Sequence, residues 1–231
     1  MKPQYAEQRS LRDVRRGVCL FGVADGALAG RRFSVDGARI EAIAYRDLAL
    51  LIRRLRPEEM PRVAEADWIA RETRAQLRLC ERLAAKTSLL PAKAGAAYSS
   101  AGDLVVAADQ AYRRWRRALG RVTGKHEWLA LGYAGPHPVP ASHAPLLGKP
   151  LTGRRAVIAP PFYEFWEGAA ALAAQARLLA PSDARAAFAA AFLVPAERAA
   201  DFRELLGRTV AAAACGITLY HAGPRAPFHF T

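Results

Sequence analysis

Apolar and polar positions change period along the chain in a way that assigns most of its elements. Residues 18–23, Val-Cys-Leu-Phe-Gly-Val, form a continuous apolar run closed by Asp25-Gly26, the pattern of a buried strand. Val35-Asp36-Gly37 signals a turn, and residues 38–45 alternate in part, with Ile40 and Ala42 on one side and Glu41 on the other. Asp47 is placed to cap a helix through Leu48, Leu51, Ile52 and Leu55 that stops before Pro57. A longer helix is expected over 67–86, where Ile69, Thr73, Leu77, Cys80, Leu83 and Ala84 share one face and Arg71, Arg74, Arg78 and Arg82 turn to the other. Pro91 and Gly95 keep residues 87–98 extended. Ser100-Ala-Gly-Asp103 then opens a helix that buries Leu104, Ala108, Ala111, Trp115 and Leu119 and carries Arg113, Arg114, Arg116, Arg117 and Arg121 in its last turns.

The second half repeats the mixture. Residues 126–133, His-Glu-Trp-Leu-Ala-Leu-Gly-Tyr, read as a strand. Residues 134–161 hold seven prolines and predict a long connection or lid. A helix is expected over 162–179, a short restart at Pro181-Ser182-Asp183, and a strand over 188–194. A helix over 197–214 follows, ended by Gly216, and 217–221 is the last strand. Two clusters of strands separated by helix predict an α+β protein of two small domains, each a mainly antiparallel sheet covered on one face by helices. The boundary falls between 122 and 123. It leaves an N-terminal α+β domain of residues 1–122 and a C-terminal one of 123–231 that contains the proline-rich connection.

Composition narrows the class. The chain has 231 residues, 52% of them apolar and 24% charged, enough for packed cores and unlike a disordered chain. Its net charge of +13 attracts anionic partners: nucleic acid, acidic lipid or an acidic protein surface. Cys19, Cys80 and Cys215 are scattered and odd in number, which argues against a disulfide framework or a zinc site and fits a reducing cytoplasm. The 18–23 run is too short for an export signal, and no stretch approaches the ~18 apolar residues of a membrane span.

The motifs of catalysis do not assemble. Gly26-Ala-Leu-Ala-Gly30 follows a strand but lacks the spacing and hydroxyl of a phosphate loop, so it reads as a glycine-rich turn. His126, His137, His143, His221 and His229 show no helical ligand spacing and read as surface residues. His126 and Glu127 are adjacent on a strand and point to opposite faces. No Gly-x-Ser-x-Gly elbow is present. The residues therefore predict no enzyme, no cofactor and no metal. Tyr112-Arg-Arg-Trp115-Arg-Arg interleaves aromatics with arginine and keeps a basic nucleic-acid-binding α+β module as the alternative reading, although Trp115 falls on the apolar face.

The ending carries more information. Gly223-Pro224, Pro227, Phe228 and Phe230 predict a rigid extended strip whose aromatics pack on the protein or on a partner. This close resembles the Gly-Pro-Trp-Pro-Pro-Tyr-x-Phe end of the gas vesicle protein GvpL/GvpF family, with Arg225 and Ala226 where the family has Trp and Pro, and Phe228 for Tyr. Leu89-Leu90-Pro91-Ala-Lys93-Ala94-Gly95-Ala-Ala-Tyr98 is similar to the family's Leu-Pro-Leu-Arg-Phe-Gly-Thr-Val-Phe. His126-Glu127-Trp128 resembles its Glu-Trp/Tyr strand start, and Cys19-Leu-Phe-Gly-Val23 its opening Tyr-x-Tyr-Gly-Val. The resemblance implies two α+β domains, at least one ferredoxin-like. It further implies a non-enzymatic accessory or minor structural protein of gas vesicle formation, located in the cytoplasm and at the vesicle. Its expected partners are the small hydrophobic shell protein and other accessory proteins. Leu90, Pro91, Gly95, Tyr98, Trp128, Gly223, Pro224, Pro227, Phe228 and Phe230 are the expected protein-interaction residues.

Overall fold

The computed structural model describes residues 16–84, 86–135, 158–181, 183–212 and 216–230. Most of the proline-rich connection, with His137 and His143, lies outside the described residues, as does Cys215. Contacts divide the chain between Thr123 and Gly124 into two compact units.

The first unit contains β1 (Val18–Asp25), β2 (Arg32–Val35), β3 (Ala38–Tyr45), β4 (Leu48–Arg54), α1 (Ala66–Ala84), β5 (Leu89–Pro91), β6 (Ala97–Tyr98) and α2 (Ala101–Val122). The strands form one antiparallel sheet in the order β2-β3-β4-β1-β5, and β6 also pairs with β1. The turn at Asp36-Gly37 joins β2 to β3, and the expected strands at 18–23 and 38–45 are present.

The helix expected after Asp47 is instead β4, the strand between β3 and β1. Leu48, Ala49, Leu50, Leu51 and Ile52 are all 0% exposed. Five consecutive buried residues need cover on both sides, which a central strand receives and a surface helix does not. The helical reading failed because an unbroken apolar run satisfies the i, i+3, i+4 spacing as readily as the strand period.

Cover on both sides also corrects the one-face layering for this unit. Tyr45 lies opposite Leu48, and its hydroxyl donates to Asp109 of α2. Arg53 points to the other face of β4 by strand alternation, and its Nε donates to Glu72 of α1 at 2.8 Å. Hence α1 and α2 flank opposite faces of the sheet. Arg53 also donates to both oxygens of Glu59, at 3.1 and 3.0 Å, so a buried arginine sits between two buried carboxylates. The inward stripe of α1 is accordingly Trp68, Glu72, Ala75, Gln76, Leu79, Cys80 and Leu83. It is rotated from the expected one because Glu72 and Gln76 face inward: the Gln76 amide donates to the carbonyls of Phe21 and Ala92.

The second unit runs β7 (Lys125–Ala134), α3 (Tyr163–Leu172), β8 (Gln175–Leu178), β9 (Ala186–Pro195), α4 (Ala199–Ala212) and β10 (Ile217–Arg225). Its antiparallel sheet has the order β10-β7-β9-β8. That βαββαβ sequence with edge strands β8 and β10 is the ferredoxin-like arrangement. Trp128, Ala130, Phe188, Phe192 and Val194 project from one face of the sheet onto Phe165, Phe202 and Leu206 of the helices. The single helix expected over 162–179 is corrected: α3 ends at Leu172 and the chain re-enters the sheet as β8. No helix restarts at 183; the Asp183 carboxylate accepts from the Arg185 backbone N–H in a turn.

Candidate functional site

The expected interaction residues separate into two groups. Leu90, Pro91, Gly95 and Tyr98 lie in the first unit, along the edge segment formed by β5 and β6. Gly22 of β1 lets that segment approach, since a Cβ there would stand 2.9 Å from the Leu90 carbonyl oxygen. Between the two short strands the chain leaves the sheet and returns through a turn closed by the Ala96 N–H on the Lys93 carbonyl. Gly95 makes that return possible at φ +70, a left-handed value, while Ile69 of α1 packs 3.4 Å from where its Cβ would be.

Beside this edge runs a groove of about 400 Å3. Leu20, Val23 and Leu90 form its floor, Pro91 and Tyr98 one wall, and Trp115 and Ala118 of α2 the other. Lys93, Arg114 and Arg121 stand exposed at its rim. Leu90 and Pro91 are themselves buried, whereas Tyr98 is half-buried and burial pushes its phenol up from the ordinary value. Trp115, expected in the helix core, is also half-buried and lines the groove. Ser100 caps α2 as expected, its hydroxyl accepting from the Asp103 N–H at 3.0 Å.

The second group lies around the C-terminal segment. β10 runs on through Gly223-Pro224, joined by a cis peptide bond, to Arg225. The chain then folds into turns, the Phe228 N–H on the Ala226 carbonyl and the Phe230 N–H on the Pro227 carbonyl, so the extended strip ends at Arg225. Gly223 sits at φ +156 with Trp128 Cδ2 only 2.7 Å from where a Cβ would be. Trp128 is 2% exposed, 5.4 Å from Phe202 ring to ring, and belongs to the core. Ala226, Pro227 and Phe230 are buried, Phe228 is half-buried under Arg225, and Gly223 and Pro224 are exposed.

One buried contact was not anticipated. Glu127 is 0% exposed and accepts the backbone N–H of His229 at 2.7 Å, while its other oxygen meets His229 Nδ1 at 2.9 Å. Arg177 adds a bond to the His229 carbonyl and stacks 5.0 Å from the Phe230 ring. His229 is therefore a buried clasp residue rather than a surface histidine. A pairing across 102 positions has no local signal, which is why the sequence showed Glu127 only beside His126.

Cys19 and Cys80 are buried free thiols; burial pushes Cys19 up to about 12 and raises Cys80 further, so neither is a nucleophile at neutral pH. Among the described residues no three His, Cys, Asp or Glu side chains gather as a metal site, and no helix is long and apolar enough to cross a membrane.

Two antiparallel α+β units, the second ferredoxin-like, and a C-terminal segment clasped onto its own sheet define the class of protein. The profile of the gas vesicle synthesis protein GvpL/GvpF family matches residues 17–141 and 159–231, and the chain belongs to that family. Its fold is similar to the crystal structure of gas vesicle protein GvpF from Anabaena sp. PCC7120, with TM-score 0.72 and 16% identity over 93% of this chain and 98% of that one. GvpF from Microcystis aeruginosa is similar with TM-score 0.69 and 12% identity over the same shares. No curated protein sequence matches the chain.

Proposed function

We propose that this protein is a non-enzymatic accessory or minor structural protein of gas vesicle formation that binds the small hydrophobic shell protein, and other accessory proteins, during assembly in the cytoplasm. The observation that carries the reading is the family match, which spans both units and leaves out only a stretch of the proline-rich connection and the first residues. The physical need is plain: subunits that assemble through apolar strands aggregate when their edges are unpaired. A partner offering an edge and an apolar groove can hold such a subunit until it joins the shell. The short β5–β6 edge with its groove has that form, and Leu90, Pro91, Gly95 and Tyr98 shape it. Trp128, Gly223, Pro224, Pro227, Phe228 and Phe230 serve the same function indirectly, by fixing the end of the chain.

The test is a tagged pull-down of this protein co-expressed with the small shell subunit, nuclease-treated and washed in high salt. Apolar capture survives salt, whereas phosphate contacts weaken steeply as counterions are released. Retention of the shell subunit is the expected result. Its loss, with nucleic acid recovered at low salt, would return the protein to the basic nucleic-acid-binding reading.

A further inference from the structure

We propose that the groove between α2 and the 89–98 edge binds an acidic amphipathic helix of a partner protein, with an apolar side chain seated between Arg114 and Arg121. The inference rests on the reading of the 89–98 edge as a docking face, but not on which protein docks there.

The geometry comes from α2 itself. Arg114, Ala118 and Arg121 are spaced i, i+4, i+7 and so lie on one stripe of the helix. The two arginines are about 10 Å apart along the axis at the helical rise. Between them comes the small Ala118, and Trp115 and Tyr98 line the same groove. Leu20 and Val23 make the bottom of that groove aliphatic.

Charge decides what fits. No aspartate or glutamate lines the groove. Among the described residues Lys93, Arg114 and Arg121 have no acidic partner, whereas some arginines elsewhere in this unit are neutralised: Arg53 by Glu59 and Glu72, Arg78 by Asp36, Arg116 by Asp47. An apolar groove bracketed by two unneutralised guanidinium groups is complementary to an apolar side chain bracketed by two carboxylates at the same separation. A helix with glutamates at i and i+7 and leucines at i+3 and i+4 presents that pattern. Single-stranded nucleic acid is the competing occupant, since Tyr98 and Trp115 offer aromatic faces, but the aliphatic lining of Leu20, Val23 and Leu90 suits an apolar side chain better than a base.

The experiment uses the full chain and a dye-labelled synthetic helical peptide of about 16 residues carrying that glutamate and leucine spacing, read by fluorescence polarisation. Control peptides replace both glutamates by lysine, or both leucines by alanine. Arg114→Glu/Arg121→Glu is the protein variant; both side chains are exposed, and an unchanged thermal unfolding curve verifies its fold. Binding of the acidic peptide is expected to fall at least roughly tenfold in the variant, since two ion pairs become two repulsions. The lysine peptide is expected to bind the variant more tightly than the wild type, and the alanine peptide to bind neither. Equal binding of acidic and basic peptides to the wild type, or unaltered binding to the double variant, would overturn the proposal. Displacement of the peptide by a stoichiometric single-stranded oligonucleotide would overturn it as well and assign the groove to nucleic acid. The two readings fail separately. Peptide binding without shell-subunit retention sinks the assembly function alone, and shell retention with no charge dependence in the peptide assay sinks the groove alone.

Discussion

Glu127→Ala tests whether the C-terminal segment is held by one buried carboxylate. In the wild type both Glu127 oxygens are used, by the His229 N–H at 2.7 Å and His229 Nδ1 at 2.9 Å, and the side chain is fully buried. Truncation removes the Glu127 oxygens from the backbone donor and the ring nitrogen, at about 1–3 kcal/mol for each buried group. The loss cannot exceed the free energy of docking the segment, because the chain can instead peel away and hydrate both groups. Peeling exposes Phe230, now 1% exposed, whose burial contributes about 1.5–3 kcal/mol to docking, offset in part by the entropy of ordering the segment. The expected destabilisation is therefore about 2–4 kcal/mol, taken up mainly by release of the segment.

Two measurements read it. Hydrogen exchange in Glu127→Ala should lose protection at 228–230 while the β7–β9 ladder, from Leu129 opposite Ala191 to Leu131 opposite Ala189, keeps it. Denaturant unfolding of Glu127→Gln should stay within about 1.5 kcal/mol of the wild type, because the amide oxygen still accepts the backbone N–H and its NH2 can donate to the imidazole in the other tautomer. Wild-type protection at 228–230 in the alanine variant would refute the clasp, and an equal loss in the glutamine variant would refute the hydrogen-bond account in favour of charge alone.

Other substitutions test neighbouring parts of the argument. Burial pulls the Glu59 carboxyl upward, but hydrogen bonds from Arg53 and the Arg56 backbone, with the charges of both arginines, outweigh it and hold the group at about 2. A depressed folded value means stability that is present above the unfolded carboxylate range and lost as pH falls from about 4.5 toward 2, by at most about 3 kcal/mol. Urea midpoints between pH 5 and pH 3 should decline less steeply in Glu59→Gln, and parallel declines would contradict this. Gly132→Ala places a Cβ 2.3 Å from Phe162 Cε1, and that ring is stacked 5.3 Å from Phe188, so a cost of about 1–3 kcal/mol is expected from thermal unfolding. Gly223→Ala meets Trp128 at 2.7 Å from a strained φ of +156 and should cost about 2 kcal/mol or more. A Gly223→Ala protein as stable as the wild type would remove the reason for glycine there.

The fold was legible where one period dominated. The β1 run, the turn at Asp36-Gly37, the Ser100 cap and the strand-like stretch of β7 each point one way, and the structure follows them. Period alone fails for β4, whose Leu-Ala-Leu-Leu-Ile core carries the helical and the strand pattern at once. It fails again at β8, where the alanine-rich sequence after Leu172 continues the helical composition while Ala174 already bonds to Leu193 of β9. Tertiary pairing decides both segments. The α1 face differs from its pattern for another reason: Glu72 and Gln76 look like solvent residues, and partners distant in sequence, Arg53 and the Phe21 and Ala92 carbonyls, make their burial favourable.

The same distinction bears on which of the ten expected interaction residues can meet a partner. Trp128, Pro227 and Phe230 are buried, and Gly223 is small because Trp128 occupies the space beside it. Packing within this chain is enough to account for these residue types without a partner contact. Arg225 and Ala226, which depart from the family's ending, obey the same logic: Ala226 is 0% exposed and Arg225 lies 5.7 Å from the Phe228 ring. At the 89–98 edge the situation is reversed. Leu90 and Pro91 form the floor and wall of a groove that stays open, and the side chains that decide what enters it, Arg114, Trp115 and Arg121, come from the neighbouring helix rather than from the family-like stretch. Substitutions in the tail should therefore act through stability, lowering unfolding midpoints and assembly together, whereas substitutions on the α2 stripe should change partner binding at constant stability.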